Sequence, residues 1–130
     1  MNMTIDASII VAIIVNEKKK YRLLELTAGK NLIAPSNIHN EILQIFLLMN
    51  RRNWIRNDQL GDAINIYQKI PIRRVDIPLQ ELALLSQKLN ISANDAGYLL
   101  TAKKYKAPLL TIDHNLAIPA NKFGIRVIEG

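Results

Sequence analysis

Four of the eleven acidic residues in the chain fall where a sequence would place groups meant to do chemistry. Asp6 and Asp113 each follow a short apolar run, Met1 to Ile5 and Pro108 to Ile112, that reads as a β-strand. Glu41 lies three residues after Ile38 and four before Ile45, which sets it on the apolar stripe of a helix. Asp95 follows Ser92 by three residues and precedes Leu99 by four and Ala102 by seven, at the rim of a helix face that should meet the sheet. Taken singly, each has a structural explanation. Asp is common in turns and helix caps, Ser92 with Asp95 could form a capping box, and Glu41 could pair with an arginine. Taken together they do not stabilise anything, because two carboxylates about 5 Å apart repel by roughly 3 kcal/mol even at an effective dielectric near 20. A crevice holding all four calls for a cation, or for carboxyl groups that stay partly protonated. With no cysteine and only two histidines, the available ligands are oxygens, which select hard cations such as Mg²⁺ or Mn²⁺. A metal-free acid/base pair of His39 and His114 is the weaker alternative, since His39 stands two positions from Glu41 on its helix and points elsewhere.

These acids can meet only if the elements carrying them converge. Met1 to Ile5 reads as a strand; Ala7 to Asn16 is ambiguous by periodicity, and Asp6 or Ser8 as a cap favours a helix. Tyr21 to Ala28 reads as helix, Asn31 to Ala34 as a strand stopped by Pro35, and Ser36 as the cap of a helix with Ile38, Ile42, Ile45, Phe46 and Met49 inward. Asp58 to Lys69 follows as helix, Ile72 to Ile77 as strand, and Leu79 to Leu89 as helix. Ser92 opens a helix reaching about Tyr105, Ala107 to Ile112 is a strand, Asn115 to Lys122 a short helical turn, and Ile125 to Ile128 a last strand. Strands separated by helices imply parallel pairing and helices on both faces, so the fold class is α/β. In such a sheet the ligand crevice lies beyond the carboxyl ends of the strands, where Asp6 and Asp113 fall.

At 130 residues, 49% of them apolar, the chain suits one domain, 1–130, with one core. The absence of cysteine excludes thiolate zinc sites and cysteine nucleophiles and fits a reducing compartment. The apolar run Ile9 to Val15 is too short for an export signal and lacks a basic lead-in, and no stretch approaches the roughly 20 apolar residues that cross a bilayer. The expected location is the cytoplasm, with no membrane partner. Seventeen Lys and Arg give a formal charge of +6, which favours polyanions but also occurs in proteins that bind none. The cations cluster at Lys18 to Lys20, at Arg51, Arg52 and Arg56, at Arg73 and Arg74, and at Lys103, Lys104 and Lys106.

The segments Ile5-Asp6-Ala7-Ser8, Ala34-Pro35-Ser36 with Glu41 after it, Asn94-Asp95-Ala96-Gly97-Tyr98-Leu99-Leu100, and Leu109-Leu110-Thr111-Ile112-Asp113 resemble, in order, those of the PIN domains. The likeness is to the VapC-like ribonuclease toxins of toxin–antitoxin pairs especially, and it covers nearly the whole chain. The resemblance implies a three-layer α/β/α fold whose central, mainly parallel five-stranded sheet has the order 3-2-1-4-5. It also implies a Mg²⁺- or Mn²⁺-dependent endoribonuclease that leaves a 5′-phosphate and a 3′-hydroxyl. Asp6, Glu41, Asp95 and Asp113 match the catalytic acids, with Asp6, Asp95 and Asp113 as metal ligands. Thr111 matches a supporting hydroxyl and Ser8 a small polar position near the first acid. The sequence departs from the pattern at Asn94, where many relatives carry an aromatic residue, and at His114 and Asn115, where some carry a further acid; Asn115 is kept as a supporting residue. Lys18, Lys19, Lys20, Arg51 and Arg52 are candidates to hold RNA. The resemblance further implies a small antitoxin partner and a homodimer.

Two rival readings compete. In the first, a basic α/β module grips RNA without cleaving it, or a PIN nuclease processes RNA without a toxin role; metal binding that depends on Asp6 or Asp113 separates catalysis from mere binding. In the second, a phosphotransfer receiver domain uses acids at strand ends, but it would need two acids after the first strand, and Asp6 stands alone.

Overall fold

The computed structural model describes the backbone of residues 1–130 and every side chain except that of Glu17. Five strands, β1 (Asn2–Ile5), β2 (Asn31–Pro35), β3 (Ile72–Val75), β4 (Leu109–Thr111) and β5 (Val127–Glu129), form one sheet of order β3-β2-β1-β4-β5. Every pairing in it is parallel. Met3 to Ile5 and all of β4 are buried, as the apolar runs of a sheet covered on both faces require. Seven helices supply the cover: α1 (Ala7–Val15), α2 (Glu17–Thr27), α3 (Ile38–Arg51), α4 (Asn57–Lys69), α5 (Leu79–Leu89), α6 (Ala93–Lys104) and α7 (His114–Lys122). Right-handed crossovers put α1 to α4 on one face and α5 to α7 on the other. The result is the α/β class read from the element pattern, with the three-layer arrangement and strand order that the resemblance implies.

The differences from the sequence reading lie at element ends. The second helix begins at Glu17 and not at Tyr21, because Asn16 caps it, accepting hydrogen bonds from the Lys18 and Lys19 amides at 3.2 and 3.3 Å. The lysine triplet is therefore helical. Ser36 does not cap α3; its hydroxyl turns to the Val75 carbonyl and the Asp76 carboxylate, tying β2 to the end of β3. Asp6 occupies the N-cap position of α1 but gives that helix no side-chain hydrogen bond, nor does Ser8, since both side chains are engaged with each other. The strands are shorter than the apolar runs: β3 stops at Val75, β4 starts at Leu109 and β5 at Val127.

One contact decides how closely α6 approaches the sheet. A Cβ added at Gly97 would lie 3.1 Å from Asn37 Oδ1 and 3.3 Å from Pro35 Cγ, so the bare backbone lets the helix settle against the end of β2. Gly61, in the exposed part of α4, would meet nothing within 4 Å. Alanine improves helix propensity by about 1 kcal/mol over glycine, and crowding a close-packed contact offsets that gain. Gly61→Ala should accordingly raise stability by about 0.5–1 kcal/mol, whereas Gly97→Ala should fall at least about 1 kcal/mol below it in urea unfolding. Equal gains from the two substitutions would show that α6 has room to spare.

Candidate active site

The register between the central strands sets the first part of the site. Thr4 lies beside Leu109 and Ile5 beside Leu110, so Asp6 emerges next to Thr111 at the carboxyl ends of β1 and β4. Thr111 Oγ1 donates to Asp6 Oδ2 at 2.8 Å and Ser8 Oγ donates to Asp6 Oδ1 at 2.6 Å. Both hydroxyls are themselves aimed by backbone amides. Asp113 N donates to Thr111 Oγ1 at 2.9 Å and Ile112 N donates to Ser8 Oγ at 3.3 Å. Asp6 is only 4% exposed. Burial pushes its carboxyl group up to about 6, against the opposing pull of the Ser8 and Thr111 hydrogen bonds, and the nearby charge of Asp113 adds to the rise.

The helices bring in the other acids. Glu41, in the first turn of α3, is half-buried, and its Oε2 accepts a 2.8 Å hydrogen bond from the Tyr98 hydroxyl. Burial raises its pKa above the ordinary carboxylate value, the tyrosine bond lowers it, and the charges of Asp95 and Asp113 raise it further. Asp95, in the first turn of α6, is raised by burial and then by Asp113. Its amide donates to the Ser92 cap at 3.0 Å, so the serine half of the capping box forms while the carboxylate looks into the crevice. Asp113 Oδ1 accepts from the Asn115 amide at 3.0 Å and so caps α7. The charge of Asp113 thus acts on each of the other three acids, and that of Asp95 on Glu41. Among the described residues the ion pairs are Arg56–Asp58 and His114–Glu129, so no side-chain cation neutralises any of the four.

Other singled-out residues are placed as follows. Ser8 and Thr111 join the acids directly; Asn115 contributes its backbone amide, with its side chain exposed. Lys19 Nζ reaches the Gly130 carbonyl at 3.2 Å, and Gly130 N in turn donates to Thr111 O, which puts the lysine triplet towards the acidic end of the sheet. Arg51 and Arg52 lie ten and eleven residues beyond Glu41 near the far end of α3, roughly 15 Å along its axis, with Arg52 over the Trp54 ring at 5.3 Å. The two histidines do not form a pair: His39 Nδ1 meets Tyr67 Oη at 2.6 Å, while His114 Nδ1 lies 3.3 Å from Glu129.

Tyr98 was not singled out from the sequence, although it follows Asp95 by three residues and therefore shares its helix face. Its ring is 1% exposed, and burial beside Glu41 holds the hydroxyl far above the ordinary tyrosine pKa, so it stays a hydrogen-bond donor. Asn37 and Asn94 form a second unforeseen tie: Asn37 Nδ2 donates a 3.2 Å hydrogen bond to Asn94 Oδ1, between the start of α3 and that of α6. Asn94 therefore fastens the two helices that carry Glu41 and Asp95.

Residues 3–122 match the PIN domain family. The chain belongs to that family. Solved structures with the same fold include PAE2754 from Pyrobaculum aerophilum, with a TM-score of 0.69 and 17% identity, over 99% of this chain and 90% of that one. VapBC2 from Rickettsia felis, bound to a DNA fragment from its promoter, aligns with a TM-score of 0.67 and 16% identity over 99% and 98% of the two chains. VapC20 from Mycobacterium tuberculosis, described as a sarcin–ricin-loop-cleaving toxin, aligns with a TM-score of 0.65 and 15% identity over 91% and 95%. The comparison with curated proteins gave no match. Membership in the PIN domain family supports a nuclease, and the acid cluster stands at the carboxyl edge of this PIN sheet. No described helix is long and apolar enough to cross a membrane.

The burial of Asp6 carries a sign for stability. Its pKa in the fold, about 6, exceeds the ordinary 3.8, so the folded PIN domain holds this proton more tightly than the unfolded chain. Stability is then greatest below pH 4 as far as this group is concerned, and falls as pH rises through 6, by about 3 kcal/mol in all. Urea unfolding in chelator between pH 4.5 and 7 should show this decline, and Asp6→Asn should flatten most of it. An unchanged slope in the variant would place the titrating group elsewhere.

Proposed function

We propose that this PIN domain, acting as one unit over residues 1–130, is a Mg²⁺- or Mn²⁺-dependent endoribonuclease and the toxin of a VapBC-type pair. The single observation that carries this reading is the convergence of Asp6, Glu41, Asp95 and Asp113 at the carboxyl ends of β1 and β4, with no cation from the described side chains among them. The donor set fits a hard ion, since every donor is an oxygen, and Asp6, Glu41 and Asp95 have pKa values raised by burial and by the charge of Asp113. Among the described residues no group of three is drawn together closely enough to hold a metal unaided. Water would therefore have to complete the coordination of any ion held here.

Asp6, Asp95 and Asp113 would hold the ion, directly or through water. A bound divalent ion supplies a lowered pKa for its water and neutralises charge that develops on the phosphodiester. The chain's own groups do the rest. Thr111 and Ser8 fix both oxygens of Asp6, and the α7 cap fixes one oxygen of Asp113. Tyr98 holds Glu41 Oε2, which leaves Oε1 to orient the attacking water and take its proton. Because the acids repel phosphate, RNA must be held by cations, and Lys18 to Lys20 lie on the appropriate end of the sheet. Two of the structural neighbours are toxin–antitoxin assemblies, VapBC2 and a complex from Klebsiella pneumoniae, which supports a small antitoxin partner for this chain as well. A homodimer and a cytoplasmic location belong to the same reading.

Asp95→Asn should abolish RNA cleavage while leaving the fold intact, and the wild type should need Mg²⁺ or Mn²⁺ and stop in chelator. Titration calorimetry should show Mn²⁺ binding that Asp6→Asn and Asp113→Asn each weaken. Turnover by purified Asp95→Asn, or in excess chelator, would remove the metal mechanism.

Tyr98→Phe separates positioning from binding. Losing one hydrogen bond to a charged carboxylate should lower kcat by about tenfold or more, equivalent to roughly 1.4 kcal/mol or more, with KM nearly unchanged. A change confined to KM would mean that Tyr98 does not act through Glu41.

A further inference from the structure

We infer that the cleft at the amino ends of β1 and β4 is a second RNA-binding surface, gripping phosphates of a folded RNA on the side of the sheet away from the acids. The inference rests on the ribonuclease reading for the identity of the polyanion. The cleft has a volume of about 570 Å³ and is lined by Lys103, Tyr105, Lys106, Pro108 and Arg126 among others, with no acidic residue in its wall. Arg73, from β3, places its guanidinium over the Tyr105 ring at 5.1 Å.

Helix polarity explains only part of this. Lys103 and Lys104 in the last turn of α6 complement the negative end of its dipole. Lys106 lies beyond the helix in a left-handed turn at φ 49° and Arg126 precedes β5, so separate elements bring cations to the cleft wall, while Arg73 of β3 meets its Tyr105. Among the described residues none of these five cations has a carboxylate partner. One is already immobilised: Lys103 Nζ donates to the Phe123 carbonyl at 2.9 Å and sits 4.7 Å from the centre of its ring. A fixed ammonium loses little side-chain freedom on meeting a phosphate.

The location decides the size of ligand. Eight residues of α6 separate Asp95 from Lys103, about 12 Å at the helical rise, so one nucleotide cannot occupy both ends while a folded RNA can. The acidic crevice contributes repulsion to phosphate, and the affinity must come from cations elsewhere. Tyr105 and the Arg73 guanidinium add flat surfaces on which an unpaired base stacks.

The test reads binding without turnover. In an Asp95→Asn background and in chelator, Lys106→Glu with Arg126→Glu is compared with Arg22→Glu with Lys88→Glu, which changes net charge equally at exposed sites elsewhere. Anisotropy of a labelled stem-loop RNA of about 30 nucleotides should show the cleft pair weakening binding about tenfold or more. The slope of log affinity against log salt should become shallower by about 1.5, as expected for two lost phosphate contacts. In the wild-type background the same pair should raise KM for the stem-loop and leave cleavage of a tetranucleotide unchanged. Unchanged affinity and slope, or equal weakening by the control pair, would overturn the proposal. So would intact RNA binding with loss of an acidic protein partner, which would reassign the cleft to that protein. Failure of the wild type to cleave any RNA would instead strike the ribonuclease reading and leave the binding comparison standing.

Discussion

A carboxylate with 4% of its surface exposed must be compensated locally, and the treatment of Asp6 organises the centre of this molecule. Its two oxygens are bound by hydroxyls from Ser8 and Thr111, residues 103 positions apart in sequence. Each hydroxyl has an acceptor site filled by a backbone amide of the segment leaving β4, so its hydrogen is directed towards Asp6. The same network therefore joins β1, the start of α1 and the exit from β4. Compensation is incomplete, since the pKa still rises to about 6, and what remains is a site prepared for a positive charge.

The other acids share a second feature that the sheet order imposes. In a parallel sheet each strand hands over to a helix at its carboxyl end, so positive helix termini gather where the acids do. Asp6 and Asp113 stand at the N-cap positions of α1 and α7, and Glu41 and Asp95 stand in the first turns of α3 and α6. Each terminus stabilises an anion by about 0.3–1 kcal/mol, yet the pKa values of Asp6, Glu41 and Asp95 remain raised. The helices make the cluster tolerable without neutralising it. The repulsion that remains is what the proposed divalent ion would relieve.

The α/β class was legible in alternating strand and helix signals, the strand order came only with the family resemblance, and the places of the acids were legible because Asp6 and Asp113 follow apolar runs and Glu41 lies on an inward stripe. Element ends were less legible, because capping depends on where a side chain turns in three dimensions. Ser36 had the chemistry of a cap and instead reached Asp76 forty residues away; Asn16 was read as the end of the first helical segment and caps α2. Tyr98 lay within reach of helical spacing from Asp95, but its link to Glu41 spans 57 residues and required α3 and α6 to be placed side by side. The cleft around Lys106 and Arg126 was the least legible part. Its cations come from separate clusters that only the strand order brings together.

The structural explanation of each acid does not compete with the functional one. Asp113 caps α7 with one oxygen, and a carboxylate has lone pairs on both. Capping removes rotational freedom from that side chain before any ion arrives, which is what a preorganised ligand needs. Ser92 does the same for the turn carrying Asp95, and the hydrogen bond from Asn37 to Asn94 holds that turn against α3. Gly97 then admits α6 close enough to β2 for Tyr98 to reach Glu41, so the site depends on a missing side chain as much as on those present. The same hydrogen bonds that end helices here also fix the positions of charges, and the acids can hold their places only because ordinary fold-making contacts confine them.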